Sequence, residues 1–200
     1  MAIEDEILAA LDPDQRAVAL ASRGPVCVIA GAGTGKTRAI THRIAYAAAI
    51  GTMDPQKVLA LTFTAKAAGE MRARLRSLGV PTVAARTIHS AALKQLLYFW
   101  PSVFGGRTPD LMTTKTGFLT EAINRAGLSD SVRATNRELM RDIASEIEWA
   151  KVSQVAPSDY VDEISKRMQK PRVLPEQMVQ IYTAYESIKK QELAIDFEDV

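Results

Sequence analysis

Short apolar runs alternate with helical patterns over the first 90 residues of the chain. Residues 26–29, 58–62 and 82–86 are each short and apolar or β-branched, and each precedes a segment compatible with a helix. This alternation is typical of an α/β fold in which helices connect parallel strands. We therefore predict three strands of one parallel sheet within residues 1–90.

The pattern changes after about residue 90, where helices replace strands. Leu139, Ile143 and Ile147 recur at four-residue spacing, which places them on one face of a helix. Pro175 suits the first turn of another helix. That helix carries an apolar stripe of Met178, Ile181, Tyr185 and Ile188. The sequence therefore predicts an all-helical region from residue 91 onward.

Composition narrows the class of protein. Of the 200 residues, 47% are hydrophobic and 24% are charged, which provides enough apolar material for a core. The net charge of +2 permits contact with nucleic acid without arguing for it. Neither a membrane-spanning apolar run nor a basic secretory start is present, so we expect a cytoplasmic protein with no membrane partner. Cys27 lies in an apolar run, and we expect its thiol to be buried.

The strongest chemical motif is Ala-Gly-Ala-Gly-Thr-Gly-Lys-Thr at residues 30–37, between a predicted strand and a predicted helix. Its glycines let the backbone curl so that successive N–H groups point at phosphate oxygens. Lys36 supplies a positive charge for the β- and γ-phosphates, and the Thr37 hydroxyl can ligate Mg²⁺. We predict a nucleoside triphosphate site formed by Ala30, Gly31, Ala32, Gly33, Thr34, Gly35, Lys36 and Thr37.

Two residues flanking this loop have alternative interpretations. Asp12 and Pro13 are typical of a helix start, so Gln15 either completes a capping box or presents its amide to the edge of a base. Arg38 either stacks beside that base or is a solvated helix residue. The residues alone leave both alternatives open.

A second motif follows the predicted strand at residues 58–62. Thr64 is a natural helix N-cap, and a helix start that carries Thr64 and Lys66 also suits a phosphate backbone. Phe63 is either a core residue or a platform on which a base stacks. The segment is therefore a candidate contact for nucleic acid.

The order of four motifs resembles a known family. Four segments occur in this order: Gln15, the run at 30–38, Leu-Thr-Phe-Thr-Ala-Lys-Ala-Ala-Gly-Glu-Met at 61–71 and Arg-Thr-Ile-His-Ser at 86–90. They are similar to the Q motif and motifs I, Ia and Ib of the UvrD/PcrA/Rep branch of superfamily 1 DNA helicases. Glu-Ile-Glu-Trp-Ala-Lys at 146–151 resembles the actinobacterial UvrD-like members. Ile88 departs from the phenylalanine usual before the motif histidine.

The resemblance implies a role for each matched residue. Gln15 and Arg38 would contact the adenine of ATP, with Lys36 and Thr37 as the catalytic residues that handle phosphates and Mg²⁺. Single-stranded DNA would pass along Phe63, Thr64, Lys66 and His89. The implied partners are single-stranded DNA and single-strand/duplex junctions, in DNA repair or replication.

The same resemblance implies a domain order. Residues 1–90 would form part of a RecA-like 1A domain, residues 91–195 a helical 1B insertion, and residues 196–200 a return toward 1A. The chain would end before the Walker B motif, and we expect the parent to be an ATP-hydrolysing helicase while these 200 residues act as a monomer with little turnover.

Three other functions remain open at this point. A small-molecule kinase also uses a P-loop, a helicase–nuclease subunit shares these motifs, and a nucleotide- or DNA-binding module would need no turnover. The segment at 62–71 has no function in the kinase interpretation.

Overall fold

Residues 3–31, 33–128, 137–168 and 171–200 are described by the structure, which is a computed structural model. Contacts between residues divide the chain into two units, Met1–Ala92 and Leu93–Val200. The predicted α/β class is confirmed, because helices and short parallel strands occur together. In the part of the chain that the structure describes, no helix has both the length and the apolar character to cross a membrane.

The first unit is built on two paired strands and the helices around them. Its elements are α1 (Ile3–Ala9), α2 (Pro13–Leu20), α3 (Lys36–Ala49), β1 (Leu59–Thr62), α4 (Ala65–Ser77), β2 (Ala84–Thr87) and the start of α5 (Ile88–Val103). Its core includes Ile44, Ala60, Met71, Leu75 and Ala85, from α3, α4 and both strands. The helices therefore cover the face of the sheet that carries Ala60 and Ala85, whereas Leu59 and Leu61 on the other face of β1 are exposed.

The two strands run parallel, with Leu59 opposite Ala84 and Thr62 opposite Thr87. The strands predicted at 58–62 and 82–86 are thus confirmed, with bounds that shift by one or two residues. Because the strands are parallel and adjacent, the segments that follow them leave from the same edge of the sheet. The motifs at 61–71 and 86–90 both cross that edge.

The strand predicted at 26–29 is wrong for this structure. Residues 26–29 have no strand assignment, and Ile29 is 96% exposed. Cys27 is exposed as well, so the expectation of a buried thiol is also wrong. An apolar run becomes a strand only when a neighbour supplies its hydrogen bonds, and within the described residues the β1–β2 ladder does not extend to this segment.

The second unit is mainly helical. It contains the remainder of α5, then β3 (Asp110–Leu111), α6 (Thr116–Arg125), α7 (Arg137–Val152), α8 (Tyr160–Ser165), α9 (Pro175–Gln191) and β4 (Ala194–Ile195). The two predicted apolar stripes are confirmed, because α7 buries Ile143 and Ile147 and α9 buries its whole stripe. Pro175 occupies the first turn of α9, where its missing N–H costs nothing.

The prediction of an all-helical region after residue 90 is incomplete. β3 pairs in parallel with β4, with Asp110 opposite Ala194 and Leu111 opposite Ile195. Strands of two residues are too short to show an alternating pattern, so periodicity does not predict them. The pairing joins the residues before α6 to the residues after α9.

Candidate functional site

The loop at 30–37 turns sharply into α3. Gly33 and Gly35 have φ values of +79° and +85°, in the left-handed region that favours glycine. α3 begins at Lys36 with Gly35 as its N-cap and no side-chain cap. The first backbone N–H groups of this helix are therefore available to an anion. Ala32 was predicted as part of the loop and lies outside the described residues.

Lys36 folds back over the loop that precedes it. Its ammonium donates to the backbone carbonyl oxygens of Gly31 at 2.5 Å and Ala30 at 3.0 Å. Thr37 is exposed in the first turn of α3. The structure thus places the two predicted phosphate and Mg²⁺ residues at the exposed end of one helix.

A cavity of about 540 Å³ lies beside the loop, within the range of small-molecule sites. Ala30, Thr34, Gly35 and Lys36 line it from the loop, and Gln15 lines it from α2. Five predicted nucleotide residues therefore share one cavity. Gly31, Gly33, Thr37 and Arg38 are not among the lining residues.

Gln15 makes one hydrogen bond through its backbone and another through its side chain. The Asp12 carboxylate caps α2 by accepting from the backbone N–H of Gln15 at 2.8 Å. The Gln15 side-chain amide donates to the Thr34 carbonyl oxygen at 3.2 Å. Gln15 is therefore part of the helix cap through its backbone and part of the cavity through its side chain.

The Arg38 side chain makes a contact outside the cavity. Its guanidinium donates to the backbone carbonyl oxygen of Ala10, just after α1. One turn later, burial lowers the pKa of His42, whose Nδ1 lies 2.8 Å from the Arg38 carbonyl oxygen. Burial thus favours the neutral form of His42. The contact of Arg38 with a base stays a prediction.

Sequence reasoning missed part of the cavity wall. Asp14 and Val18 line it from α2, Val28 and Ile29 line it from the extended segment, and Ala39 lines it from α3. Val18 lies three residues after Gln15 on the same helix face, so helical spacing from Gln15 would have found Val18, whereas Asp14 is the preceding residue and would not have been found in this way. Nothing in the sequence pattern marks Val28 or Ile29, because an apolar run ordinarily indicates core.

The predicted DNA residues leave the carboxyl edge of the two strands. Phe63 and Thr64 follow β1, Lys66 lies in the first turn of α4, and His89 lies in the first turn of α5 directly after β2. All four are exposed, and Phe63 as a residue is 87% exposed. The core alternative for Phe63 is therefore wrong, whereas its contact with a base stays a prediction.

Thr64 has the structural role that its position predicts. Its hydroxyl caps α4 by accepting from the backbone N–H of Ala67 at 3.1 Å. On the same helix, the Arg72 guanidinium donates to the Ala85 carbonyl oxygen at 2.8 Å and ties α4 to β2. Arg74 and Arg76 are exposed in the last turn of α4. Although Arg72 bonds to β2, Arg74 and Arg76 thus leave positive charge on the surface of α4.

In the second unit, three carboxylates lie close enough to suggest a cation site. Oxygens of Glu186, Asp196 and Asp199 lie within 4.8 Å of one another. Lys151 and Lys189 already pair with all three of these carboxylates, at distances from 2.5 to 3.1 Å. Two buried ammonium groups supply the positive charge that a metal ion would supply, so this cluster is an ion-pair network.

Burial by itself would raise the pKa of Asp196, which is 1% exposed. Hydrogen bonds and charge from Lys151 and Lys189 outweigh that effect and hold the pKa well below its usual range. Tyr185 also donates to Asp196 at 3.0 Å. The residues after β4 are therefore fixed to α7 and α9 through their carboxylates.

Comparison with known proteins shows which proteins have sequences similar to this chain. A model of the UvrD/REP helicase N-terminal domain matches residues 11–200. Proteins named ATP-dependent DNA helicase UvrD2 from Mycobacterium bovis and Mycobacterium tuberculosis are 43% identical over 207 aligned positions, which cover 98% of this chain and 29% of each relative. The ATP-dependent DNA helicase PcrA of Leuconostoc citreum is 31% identical over 90% of this chain and 23% of its own length. The chain thus spans less than a third of these relatives.

Proposed function

The chain belongs to the UvrD/REP helicase family, and we propose that it is the N-terminal ATP- and single-stranded-DNA-binding part of an ATP-dependent DNA helicase. In this proposal the first unit is the RecA-like 1A portion and the second unit carries the helical 1B insertion. Residues 196–200 lead back toward 1A. One observation supports the nucleotide assignment above the others: Gln15, Thr34, Gly35 and Lys36 line a single cavity at an uncapped helix N-terminus.

The residues at this cavity suit a nucleoside triphosphate with Mg²⁺. The backbone N–H groups of the loop and of α3 would hold phosphate oxygens, and Lys36 would neutralise their charge. The Thr37 hydroxyl would ligate Mg²⁺, which would offset the remaining phosphate charge. Gln15 would orient the base through its amide, with Arg38 beside it.

Single-stranded DNA would follow the exposed edge at the end of β1 and β2. Phe63 offers a ring that is not needed in the core, and stacking on such a ring is independent of base identity. Lys66 lies at the N-terminus of α4, where charge and backbone N–H groups favour a phosphate. His89 adds a polar contact after β2. We therefore propose binding with little sequence preference.

The proposal includes the cellular setting and the turnover of the chain. We propose that the chain acts at single-strand/duplex junctions in DNA repair or replication, in the cytoplasm and as a monomer. We also propose that these 200 residues hydrolyse ATP slowly or not at all, since their Asp-Glu pairs, at 5–6 and 162–163, lie in helices and not at the end of a Walker B strand. The family match does not support the kinase, helicase–nuclease or non-catalytic alternatives.

The test measures DNA binding by fluorescence anisotropy with a labelled single strand of mixed sequence. We expect Phe63→Ala to weaken binding about tenfold, since stacking contributes roughly 1–3 kcal/mol per base. Phe63→Trp serves as the control, because it keeps an aromatic face and should bind as tightly as the unchanged chain. Equal affinities for all three proteins would contradict the proposed DNA track, and the absence of any DNA binding would contradict the proposed function.

A further inference from the structure

A polar cleft of about 720 Å³ lies in the second unit, between the start of α6 and the first half of α7. Its charged lining residues are Lys115, Arg137, Arg141 and Glu148. Nothing in the four motifs of the first unit involves these residues.

The lysine in this cleft is already neutralised. The Lys115 ammonium lies 2.7 Å from a Glu148 oxygen and 2.7 Å from a Glu198 oxygen. Lys115 therefore joins α6, α7 and the segment after β4. Glu148 is the one carboxylate among the described lining residues, and Lys115 accounts for its charge.

Within the described residues, the two arginines have no such partners. Arg137 and Arg141 are exposed and lie one helical turn apart on α7. The neighbouring carboxylates of the same turns, Glu138 and Asp142, pair with Arg172 at 3.3 and 3.1 Å. Among the residues that the structure describes, no ion pair involves Arg137 or Arg141.

This arrangement is unfavourable without an anion. Like charges at i and i+4 destabilise a helix. An anion bound between the two guanidinium groups would reverse that effect, and the planar guanidinium favours bidentate contact with phosphate. Thr113 and Thr116 add hydroxyl groups to the same cleft, and both are exposed.

We propose that Arg137 and Arg141 form a phosphodiester-binding cleft that holds the DNA backbone on the second unit. This inference rests on the proposed function, since it takes DNA as the partner. It adds a contact with the backbone that the four motifs do not include. Because phosphate contacts carry no sequence information, the cleft positions DNA without selecting bases.

The experiment compares four proteins: the unchanged chain, R137Q/R141Q, R137K/R141K and K166Q/K190Q. Lys166 and Lys190 are exposed in the same unit and do not line the cleft, so the last variant loses the same charge elsewhere. Affinities for a labelled single strand and a labelled duplex are measured between about 50 and 200 mM NaCl. All substituted positions are exposed, and circular dichroism checks that each variant is folded.

We expect R137Q/R141Q to weaken DNA binding about tenfold and to flatten the salt dependence. The loss of two phosphate contacts lowers the slope of log K against log salt by roughly 1.8 for duplex and 1.4 for single strand. R137K/R141K should keep most of the slope, and K166Q/K190Q should keep both slope and affinity. A DNA form whose slope changes by about this amount is bound by the cleft, and a form whose slope does not change is not.

Other outcomes overturn the inference. An equal effect of R137Q/R141Q and K166Q/K190Q would mean that general charge, and not the cleft, attracts DNA. Arginine-dependent binding of inorganic pyrophosphate with unchanged DNA affinity would assign the cleft to a free phosphate compound. If Phe63→Ala weakens DNA binding while R137Q/R141Q does not, the cleft fails and the proposed function stands. If the unchanged chain binds no DNA, both fail.

Discussion

The side-chain amide of Gln15 donates a hydrogen bond to the backbone carbonyl oxygen of Thr34, 3.2 Å away and 19 positions later in the chain. The bond joins α2 to the loop at 30–37. It also fixes the amide at the wall of the cavity, so the group that would face a base is held by the loop that would hold the phosphates.

Gln15→Leu tests whether this amide recognises adenine. The change removes the donor and the acceptor while keeping a side chain of similar size. We expect the preference for ATP over GTP to fall about tenfold, because the base edge loses its hydrogen-bonding partner. Competition binding with a fluorescent nucleotide measures both affinities. Asp14→Asn changes another lining residue and should leave the preference unaltered; an unaltered preference in Gln15→Leu as well would remove Gln15 from base recognition.

Gly35→Ala tests the shape of the loop. At φ +85° an alanine is strained, and its Cβ would lie 2.5 Å from the Gln15 side-chain nitrogen. At Gly31 the nearest atom to a new Cβ is a Thr34 methyl carbon at 3.7 Å, which is an ordinary contact. We expect Gly35→Ala to weaken ATP binding at least about tenfold and Gly31→Ala to have a much smaller effect. Calorimetric titration gives both values, and similar losses in the two variants would show that backbone shape at Gly35 is not the cause.

The ion-pair network gives a prediction about stability. Lys151 is buried beside Asp196 and Asp199, so Lys151→Met leaves buried carboxylates with less neutralising charge. Removing one partner of a buried pair costs about 3 kcal/mol. Urea unfolding should show this loss in the free energy of unfolding. Lys166→Met breaks an exposed pair with Glu163 and should not shift the midpoint; a small effect at Lys151 would mean that Lys189 alone satisfies the carboxylates.

Acid should weaken the same network. The pKa of Asp196 is lowered in the folded chain, so its contribution to stability is present above the unfolded pKa of about 4 and is lost as the pH falls below it. We expect the difference in unfolding free energy between the unchanged chain and Asp196→Asn to be constant above about pH 5 and to shrink toward pH 3. Urea titrations across this range measure it. A difference that stays constant at low pH would contradict the assigned charge state.

Much of the fold follows from local patterns, and the exceptions have physical causes. The stripes on α7 and α9 and the capped start at Asp12 were predictable because each depends on neighbours within a turn or two. The segment at 26–29 was not, because a strand needs a partner from elsewhere in the chain. Residue type alone suggested strand and gave the wrong structure.

The candidate site likewise has parts that consecutive residues predict and parts that depend on residues far apart in the chain. The loop at 30–37 was predictable because its spacing carries the chemistry in consecutive residues. The network of Lys151, Lys189 and Asp196 was not, because its members come from three elements and each is an ordinary charged residue in sequence. The cleft with Arg137 and Arg141 escaped prediction because only the structure shows which carboxylates Arg172 occupies.

The most direct test of the central claim is a calorimetric titration of the chain with ATP in the presence of Mg²⁺, beside Lys36→Ala and the control Lys57→Ala. Lys57 is an exposed lysine of the same unit that lies outside the cavity. We predict saturable binding of one ATP, a loss of at least about tenfold in Lys36→Ala because a charge-assisted phosphate contact is removed, and no loss in Lys57→Ala. Absence of binding, or equal affinity in Lys36→Ala, would contradict the assignment of this loop as a nucleotide site.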